Sequence, residues 1–113
     1  MGVAQQEPAI QWLVQSQRQV PTSLEWLARE EIAEYAVLGS ERRRVEWLLG
    51  RWTAKQVVRA AMGGAYRLNE ITVWREDSGA PIVLIDGKPQ GSVSISHAAG
   101  KAFCAATTSG MLG

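Results

Sequence analysis

The chain has 113 residues, enough for one domain with a real core but few for an enzyme that encloses a large cosubstrate. Its 12 basic and 11 acidic residues give a formal net charge of +1, which excludes a global attraction to nucleic acid or to an anionic membrane. Cys104 is the single cysteine, so an internal disulfide is excluded and a buried free thiol is expected. The first residues lack the features of a signal peptide and no window approaches a membrane-spanning length, so we expect a cytoplasmic protein.

The first two elements follow from apolar spacing. Residues 9–16 alternate in the way that is typical of a short, half-buried strand. Residues 23–38 are predicted to form a helix that is capped by Thr22 or Ser23 and ends near Gly39. Four apolar residues have spacings that this helix could bury: Leu24, Leu27, Ile32 and Tyr35.

A second helix is predicted from Ser40 or Glu41 to the paired glycines Gly63 and Gly64. Its apolar stripe comprises Val45, Leu48, Leu49 and Trp52. Gly50 lies inside this helix at a cost of roughly 1 kcal/mol relative to alanine, which indicates that another group approaches its backbone closely.

Beyond the glycines the apolar period becomes two. Residues 71–77 and 81–87 are predicted strands joined by a turn around Ser78 and Gly79. Residues 93–97 and 102–108 are two further strands, joined at residues 98–101. The expected fold is α+β: one antiparallel sheet covered by two helices, in a single domain that spans residues 1–113.

Two groups of residues could bind an anion. Arg44, Arg51 and Lys55 share one edge of the second helix, where guanidinium forks could grip a phosphate; the alternative is a solvated helix face balanced by Glu41 and Glu46. Ser96 and His97 end a strand and could donate hydrogen bonds to a phosphate; the alternative is a structural histidine. Neither a nucleophile elbow nor metal-ligand spacing accompanies them.

Taken together, three blocks in a fixed order resemble 4′-phosphopantetheinyl transferases of the two-lobed type that includes the surfactin and enterobactin activating enzymes. The blocks are RRRVEWLLGRWTAKQ (42–56), SGAPIV (78–83) and VSISHAAGKAFCA (93–105). The resemblance extends from about Ala9 onward and corresponds to the N-terminal lobe of that fold. It implies transfer of phosphopantetheine from coenzyme A to a serine of an acyl or peptidyl carrier protein.

The resemblance also implies roles for individual residues, each in binding coenzyme A. The nucleotide phosphates would meet Arg42, Arg44 and Arg51, with Lys55 nearby. Adenine would lie against Gly79, Ala80 and Pro81, where many relatives have a lysine or arginine at the position of Ala80. The 3′-phosphate or the pyrophosphate would be held by Ser96 and His97.

The end of the chain departs from the two-lobed family. Its members continue with a Gly-x-Asp-x-Glu strand, whose acids hold Mg²⁺, and with a W-x-x-K-E-like helix. The resemblance therefore implies a C-terminal catalytic lobe and Mg²⁺ ligands beyond Gly113, no catalytic or metal-binding residue within this chain, and a chain that is inactive alone.

Several explanations remain open. The chain is a fragment of a complete transferase, which we favour, a natural half that needs a partner, or a noncatalytic coenzyme A-binding or carrier-binding module. The short transferases that assemble as trimers are set aside, because their early Asp motif and W-x-x-K-E-like helix are not evident. A half-enzyme would expose an apolar lobe interface, so we predict self-association through the sheet side.

Overall fold

The computed structural model describes residues 10–75 and 81–107. Within these ranges the regular elements are β1 (Ile10–Ser16), α1 (Arg29–Ala36), α2 (Glu41–Ala61), β2 (Ile71–Arg75), β3 (Pro81–Ile85), β4 (Lys88–Ala98) and β5 (Lys101–Thr107). Short 3₁₀ turns at Gln17–Gln19 and Leu68–Glu70 follow β1 and precede β2. Neither described helix combines the length and the hydropathy that a membrane span requires.

The strands within the described ranges form one antiparallel sheet in the order β1-β5-β4-β3-β2. Helix α2 crosses one face of this sheet and packs against β5, β1, β4 and β2. The core between helix and sheet is built from small and β-branched residues, including Ala54, Val57, Ile71, Val73 and Val93. The prediction of an α+β fold with one antiparallel sheet and two helices is confirmed.

Helix α2 has the ends that its sequence predicts. The hydroxyl of Ser40 accepts a hydrogen bond from the backbone N–H of Arg43 at 3.2 Å, which caps the first turn. At the other end Gly63 and Gly64 have φ of 72° and 77°, a conformation that glycine adopts without steric cost.

Helix α1 is shorter than its sequence predicts. It begins at Arg29, and Ala28 occupies the capping position in place of Thr22 or Ser23. A turn closed by the bond from Leu27 N to Leu24 O at 3.1 Å precedes it, while Ile32 is exposed. Trp26 and Leu27 are buried, and the Trp26 ring packs edge-on against Trp52 of α2, so tertiary packing outweighs the helical propensity of this segment.

The two hairpin turns within the described ranges are made by residues at positive φ. Ala99 and Gly100 join β4 to β5 with φ of 53° and 76°, so the turn predicted at residues 98–101 is confirmed. Asp86 and Gly87 join β3 to β4 in the same way, with φ of 57° and 78°. The turn predicted around Ser78 and Gly79 lies outside the described residues.

Candidate functional site

A cavity of about 360 Å³ lies beside the first half of α2, where β2 and β4 end. Its charged and polar lining within the described residues consists of Arg43, Arg51, Arg75, His97, Glu34 and Glu46. Three guanidinium groups against two carboxylates leave this small volume with a positive charge, which favours an anionic ligand.

A larger cleft of about 550 Å³ lies at the start of α1 and is less suited to an anion. Glu30, Glu70 and Asp86 line it, against the single guanidinium of Arg29 among its described lining residues. Carboxylates repel phosphate, so the smaller cationic cavity is the better candidate for a phosphate site.

Helix α2 supplies one wall of the cavity. Arg43, Trp47 and Gly50 follow one another at i, i+4 and i+7, which places them on one face of the helix. Arg51 lies beside them, with its guanidinium 4.8 Å from the centre of the Trp47 ring. The flat cation is thus held against an aromatic face, which restricts its orientation.

Arg51 is buried, with 6% of its surface exposed. Its Nη2 lies 3.4 Å from a carboxylate oxygen of Glu34, which also accepts a hydrogen bond from the Trp47 indole at 3.1 Å. Burial lowers the pKa of Arg51, and the carboxylate of Glu34 opposes that change. The Nε–H of Arg51 has no partner among the described residues, so this guanidinium retains capacity to donate.

His97 forms the opposite wall. The alternation of β4 places it on the α2 side of the sheet, in line with the buried Val93. Its Nε2 lies 3.1 Å from the backbone oxygen of Glu46; because a carbonyl can only accept, Nε2 carries the hydrogen and Nδ1 remains for another partner.

The contact of His97 with α2 depends on Gly50. A Cβ placed on Gly50 would lie 3.1 Å from both Cε1 and Nε2 of the imidazole and 3.2 Å from Cγ2 of Ile95. The prediction that another group approaches the Gly50 backbone closely is therefore confirmed, and that group is the imidazole ring.

Ser96 does not share the site with His97. Consecutive residues of a strand point to opposite faces of the sheet, so Ser96 faces away from α2 and lines a different cavity together with Trp12 and Phe103. The two side chains therefore line different cavities, and binding of one phosphate by both stays an untested prediction.

Lys55 also lies elsewhere than the sequence analysis predicted. It is fully buried, its Nζ is paired with the carboxylate of Glu31, and it donates to the backbone oxygen of Trp26 at 2.8 Å. The ammonium group of Lys55 therefore pairs with Glu31 in the interior and does not face a ligand. The edge of cations that was predicted from Arg44, Arg51 and Lys55 does not form.

The remaining expected residues lie either away from the cavity lining or outside the described residues. The side chain of Arg42 is exposed and lies 3.8 Å from Glu46, while Arg44 is half-buried and is not part of the cavity lining. Pro81 begins β3 opposite Arg75. Gly79 and Ala80 lie outside the described residues.

Sequence reasoning missed Arg43 and Arg75. Arg43 has the helical spacing to Trp47 and Gly50, and Arg75 follows the buried Ile71 and Val73 at intervals of two residues. Both spacings can be read from the sequence. They identify a site only when it is known that α2 and the end of β2 lie side by side.

Gln56 is a further residue that was overlooked. Trp52, Lys55 and Gln56 match a W-x-x-K-E-like pattern with glutamine in the last position, so the motif that the sequence analysis did not find is present in altered form. The amide of Gln56 donates to Oε1 of Gln15 on β1 at 2.7 Å. Across residues 10–75 and 81–107, no three His, Cys, Asp or Glu residues come together as a metal site.

Comparison with known sequences identifies relatives of one kind. No protein-family model matches the chain. A holo-(acyl-carrier-protein) synthase of Clostridium acetobutylicum is 31% identical over 83 residues, which cover 62% of this chain and 67% of that protein. The synthase of Geobacillus is 40% identical over 63 residues, covering 51% of this chain and 53% of the relative. The chain thus spans between about half and two thirds of the length of these curated relatives.

Solved structures superpose over most of this chain. The Bacillus anthracis synthase in complex with CoA (3′,5′-ADP) has a TM-score of 0.70 at 23% identity, covering 87% of this chain and 92% of that one. The Helicobacter pylori synthase in complex with coenzyme A has a TM-score of 0.69 at 17% identity, covering 89% and 100%. At these identities the superpositions establish the fold.

The superfamily that the sequence analysis predicted is confirmed, but these relatives fit a different subtype better. The sequence analysis favoured the two-lobed transferases and set the short ones aside, whereas the matching relatives are holo-(acyl-carrier-protein) synthases. Of the two motifs whose apparent absence set the short type aside, the W-x-x-K-E-like one is present at Trp52–Gln56 with glutamine in its last position. The chain belongs to the holo-(acyl-carrier-protein) synthase family of phosphopantetheinyl transferases.

Proposed function

We propose that this protein takes part in the transfer of 4′-phosphopantetheine from coenzyme A to a serine of an acyl carrier protein. The observation that carries the proposal is the cationic cavity formed by Arg43, Arg51 and His97, in a member of this family. The fold-matched synthases of Bacillus anthracis and Helicobacter pylori were solved with CoA (3′,5′-ADP) and with coenzyme A, respectively.

In this proposal the cavity binds the phosphates of coenzyme A. The guanidinium of Arg51 is preoriented against Trp47, so little side-chain entropy is lost when it binds a phosphate. His97 adds a donor at Nδ1 when its ring is protonated, since Nε2 already faces the oxygen of Glu46. Adenine contacts at Gly79, Ala80 and Pro81 stay predictions.

The binding surface is proposed without Lys55 or Ser96. Lys55 cannot leave Glu31 without stranding a buried carboxylate, and Ser96 lies on the other face of the sheet. Use of Mg²⁺ stays a prediction, and no step is assigned to it. Inactivity of the chain by itself and a C-terminal catalytic lobe also stay predictions.

We further propose that the sheet face opposite α2 binds a second copy of the chain. Trp12 and Phe103 are 72% and 40% exposed on this face, beside a cavity of about 300 Å³. Large aromatic side chains gathered on one face are typical of an interface rather than of a solvated surface. This agrees with the self-association that the sequence analysis predicted.

Calorimetric titration with coenzyme A and with dephospho-coenzyme A, each with and without Mg²⁺, tests the binding proposal. We expect coenzyme A to bind more tightly than the dephospho form, which lacks the 3′-phosphate. Arg51→Gln should weaken coenzyme A binding by about tenfold or more, because a charged hydrogen bond to phosphate is lost. No heat with either ligand would contradict the proposal.

A noncatalytic coenzyme A-binding or carrier-binding module is a second candidate. The observation that favours it is the neutral Gln15–Gln56 pair on the sheet side of α2, where the altered motif carries an amide in place of a carboxylate. Incubation of the protein with coenzyme A, Mg²⁺ and an apo-carrier protein, followed by mass spectrometry of the carrier, separates the two. A phosphopantetheine mass gain supports the transferase, whereas coenzyme A binding without this gain supports the module.

A further inference from the structure

Arg75 lies at the point where the edge strand β2 leaves the cover of α2. Ile71 and Val73 are fully buried between sheet and helix, and the period of two places Arg75 on the same face. Unlike Ile71 and Val73, Arg75 is not covered by the helix. It is exposed and lines the same cavity as Arg51.

The charges around Arg75 are not balanced within the cavity. Glu34 faces Arg51 and the Trp47 indole, and Glu46 faces Arg42 on the surface. Within residues 10–75 and 81–107, Arg75 forms no ion pair with a carboxylate. Its guanidinium, like that of Arg43, is therefore a cation of the cavity that forms no ion pair with a described acid.

Arg75 and Arg51 also repel one another. Both side chains line one cavity. Burial lowers the pKa of Arg51, and the charge of Arg75 adds to this change, as expected for two neighbouring cations. An anion bound between them would replace this repulsion with two attractions. Because guanidinium forks match phosphate oxygens bidentately, a phosphate is the anion that this pair suits.

We propose that Arg75 is a specificity-determining residue that, together with Arg51, holds a phosphate group of the nucleotide. The inference rests on the proposed coenzyme A site and adds to it a residue from the sheet edge. The phosphate is either the 3′-phosphate or the pyrophosphate, and these offer the same chemistry to a guanidinium.

Arg75→Gln tests this assignment, with Arg59→Gln as a matched control. Arg59 is an exposed arginine in the last turn of α2 and does not line the cavity. We expect Arg75→Gln to weaken coenzyme A binding by about 10- to 100-fold, whereas Arg59→Gln changes it by less than about twofold. Arg75→Lys keeps the charge but loses the fork, so its affinity should lie between the two. Thermal unfolding of each variant confirms that the fold is retained.

Dephospho-coenzyme A identifies the phosphate involved. A loss with coenzyme A but not with the dephospho form supports a contact with the 3′-phosphate, and an equal loss with both supports a contact with the pyrophosphate. If the unaltered protein binds coenzyme A and Arg75→Gln binds it equally tightly, the Arg75 assignment alone is overturned. Absence of binding to the unaltered protein would overturn the proposed function and this inference with it.

Discussion

At the scale of single residues, Gly50 determines how His97 enters the candidate site. The imidazole packs so close to the helix backbone that a Cβ on Gly50 would lie 3.1 Å from it, so the ring would have to shift by a few tenths of an ångström. Glycine costs a helix about 1 kcal/mol relative to alanine. At position 50 its lack of a side chain lets the imidazole ring of His97 approach the helix backbone.

Substitution of Gly50 tests this contact. Gly50→Ala should displace His97 and weaken coenzyme A binding, although alanine improves helix propensity. A double-mutant cycle with His97→Ala, measured by chemical unfolding and by titration, should give a coupling of more than about 0.5 kcal/mol, because removal of the ring leaves only the contact with Ile95. Additive effects would show that the ring and the glycine act independently.

The buried position of Cys104 predicts a low reactivity of its thiol. Burial raises the pKa of its thiol from 9.0 to about 12. At pH 8 the thiolate fraction should be about three orders of magnitude lower than in an accessible thiol, so a thiol-specific reagent should label Cys104 rapidly only after denaturant is added. Fast labelling of the folded protein would contradict this burial.

The same shift predicts a pH dependence of stability. Between pH 9 and pH 12 the unfolded chain loses the thiol proton while the folded chain keeps it. The free energy of unfolding should therefore fall as the pH rises through this window. Cys104→Ala removes this contribution, so chemical unfolding of the variant should show a weaker decline than the unaltered protein.

At the scale of elements, the Lys55–Glu31 pair connects α2 to the segment before α1 and to the sheet edge. The carboxylate of Glu31 accepts from the backbone N–H of Ala28 and of Val73, each at 2.9 Å, as well as from Lys55. The bond to Val73 satisfies a backbone donor of the edge strand β2. One buried carboxylate thereby caps a helix start and protects a strand edge.

Removal of Lys55 is expected to be severe. Lys55→Met should lower the free energy of unfolding by about 3–5 kcal/mol, because it leaves a buried carboxylate without its cation. Arg42→Met, which removes an exposed pair with Glu46, should change it by no more than about 1 kcal/mol. Urea unfolding of both variants measures the contrast, and similar small effects would show that the buried pair is dispensable.

At the scale of the whole molecule, α2 covers one face of the sheet and leaves aromatic residues exposed on the other. Trp74 is 42% exposed and Trp12 is 72% exposed. They lie on β2 and β1, so each edge strand of the sheet carries an exposed indole. A sheet with both faces apolar has its second face covered in most folds, which is the physical basis of the proposed self-association.

Paired substitution on this face tests that proposal. Trp12→Ser with Phe103→Ser should shift a self-associated species to monomer in sedimentation velocity while α2 and the core remain intact. Val37→Ser serves as the control, since Val37 is exposed at 80% but lies just after α1, away from this face. An unaltered protein that is monomeric at high concentration would contradict self-association.

Local sequence determined the secondary structure wherever the signal is local. Ser40 and the glycine pair set the ends of α2, the period of two located the strands, and Gly100 with its neighbour made a turn. Each of these depends on the backbone preferences of a few adjacent residues. The resemblance of the residue blocks likewise identified the superfamily.

Tertiary structure alone decided which residues share a site. Arg51 and Lys55 look alike as helix cations, yet one lines the cavity and the other is buried against Glu31, because the segment before α1 folds over only one of them. Ser96 and His97 are neighbours in sequence but lie on opposite faces of the sheet. Arg75 joins Arg51 although 24 positions separate them in the printed sequence. Burial and charge pairing depend on contacts between distant segments, which spacing along one element does not contain.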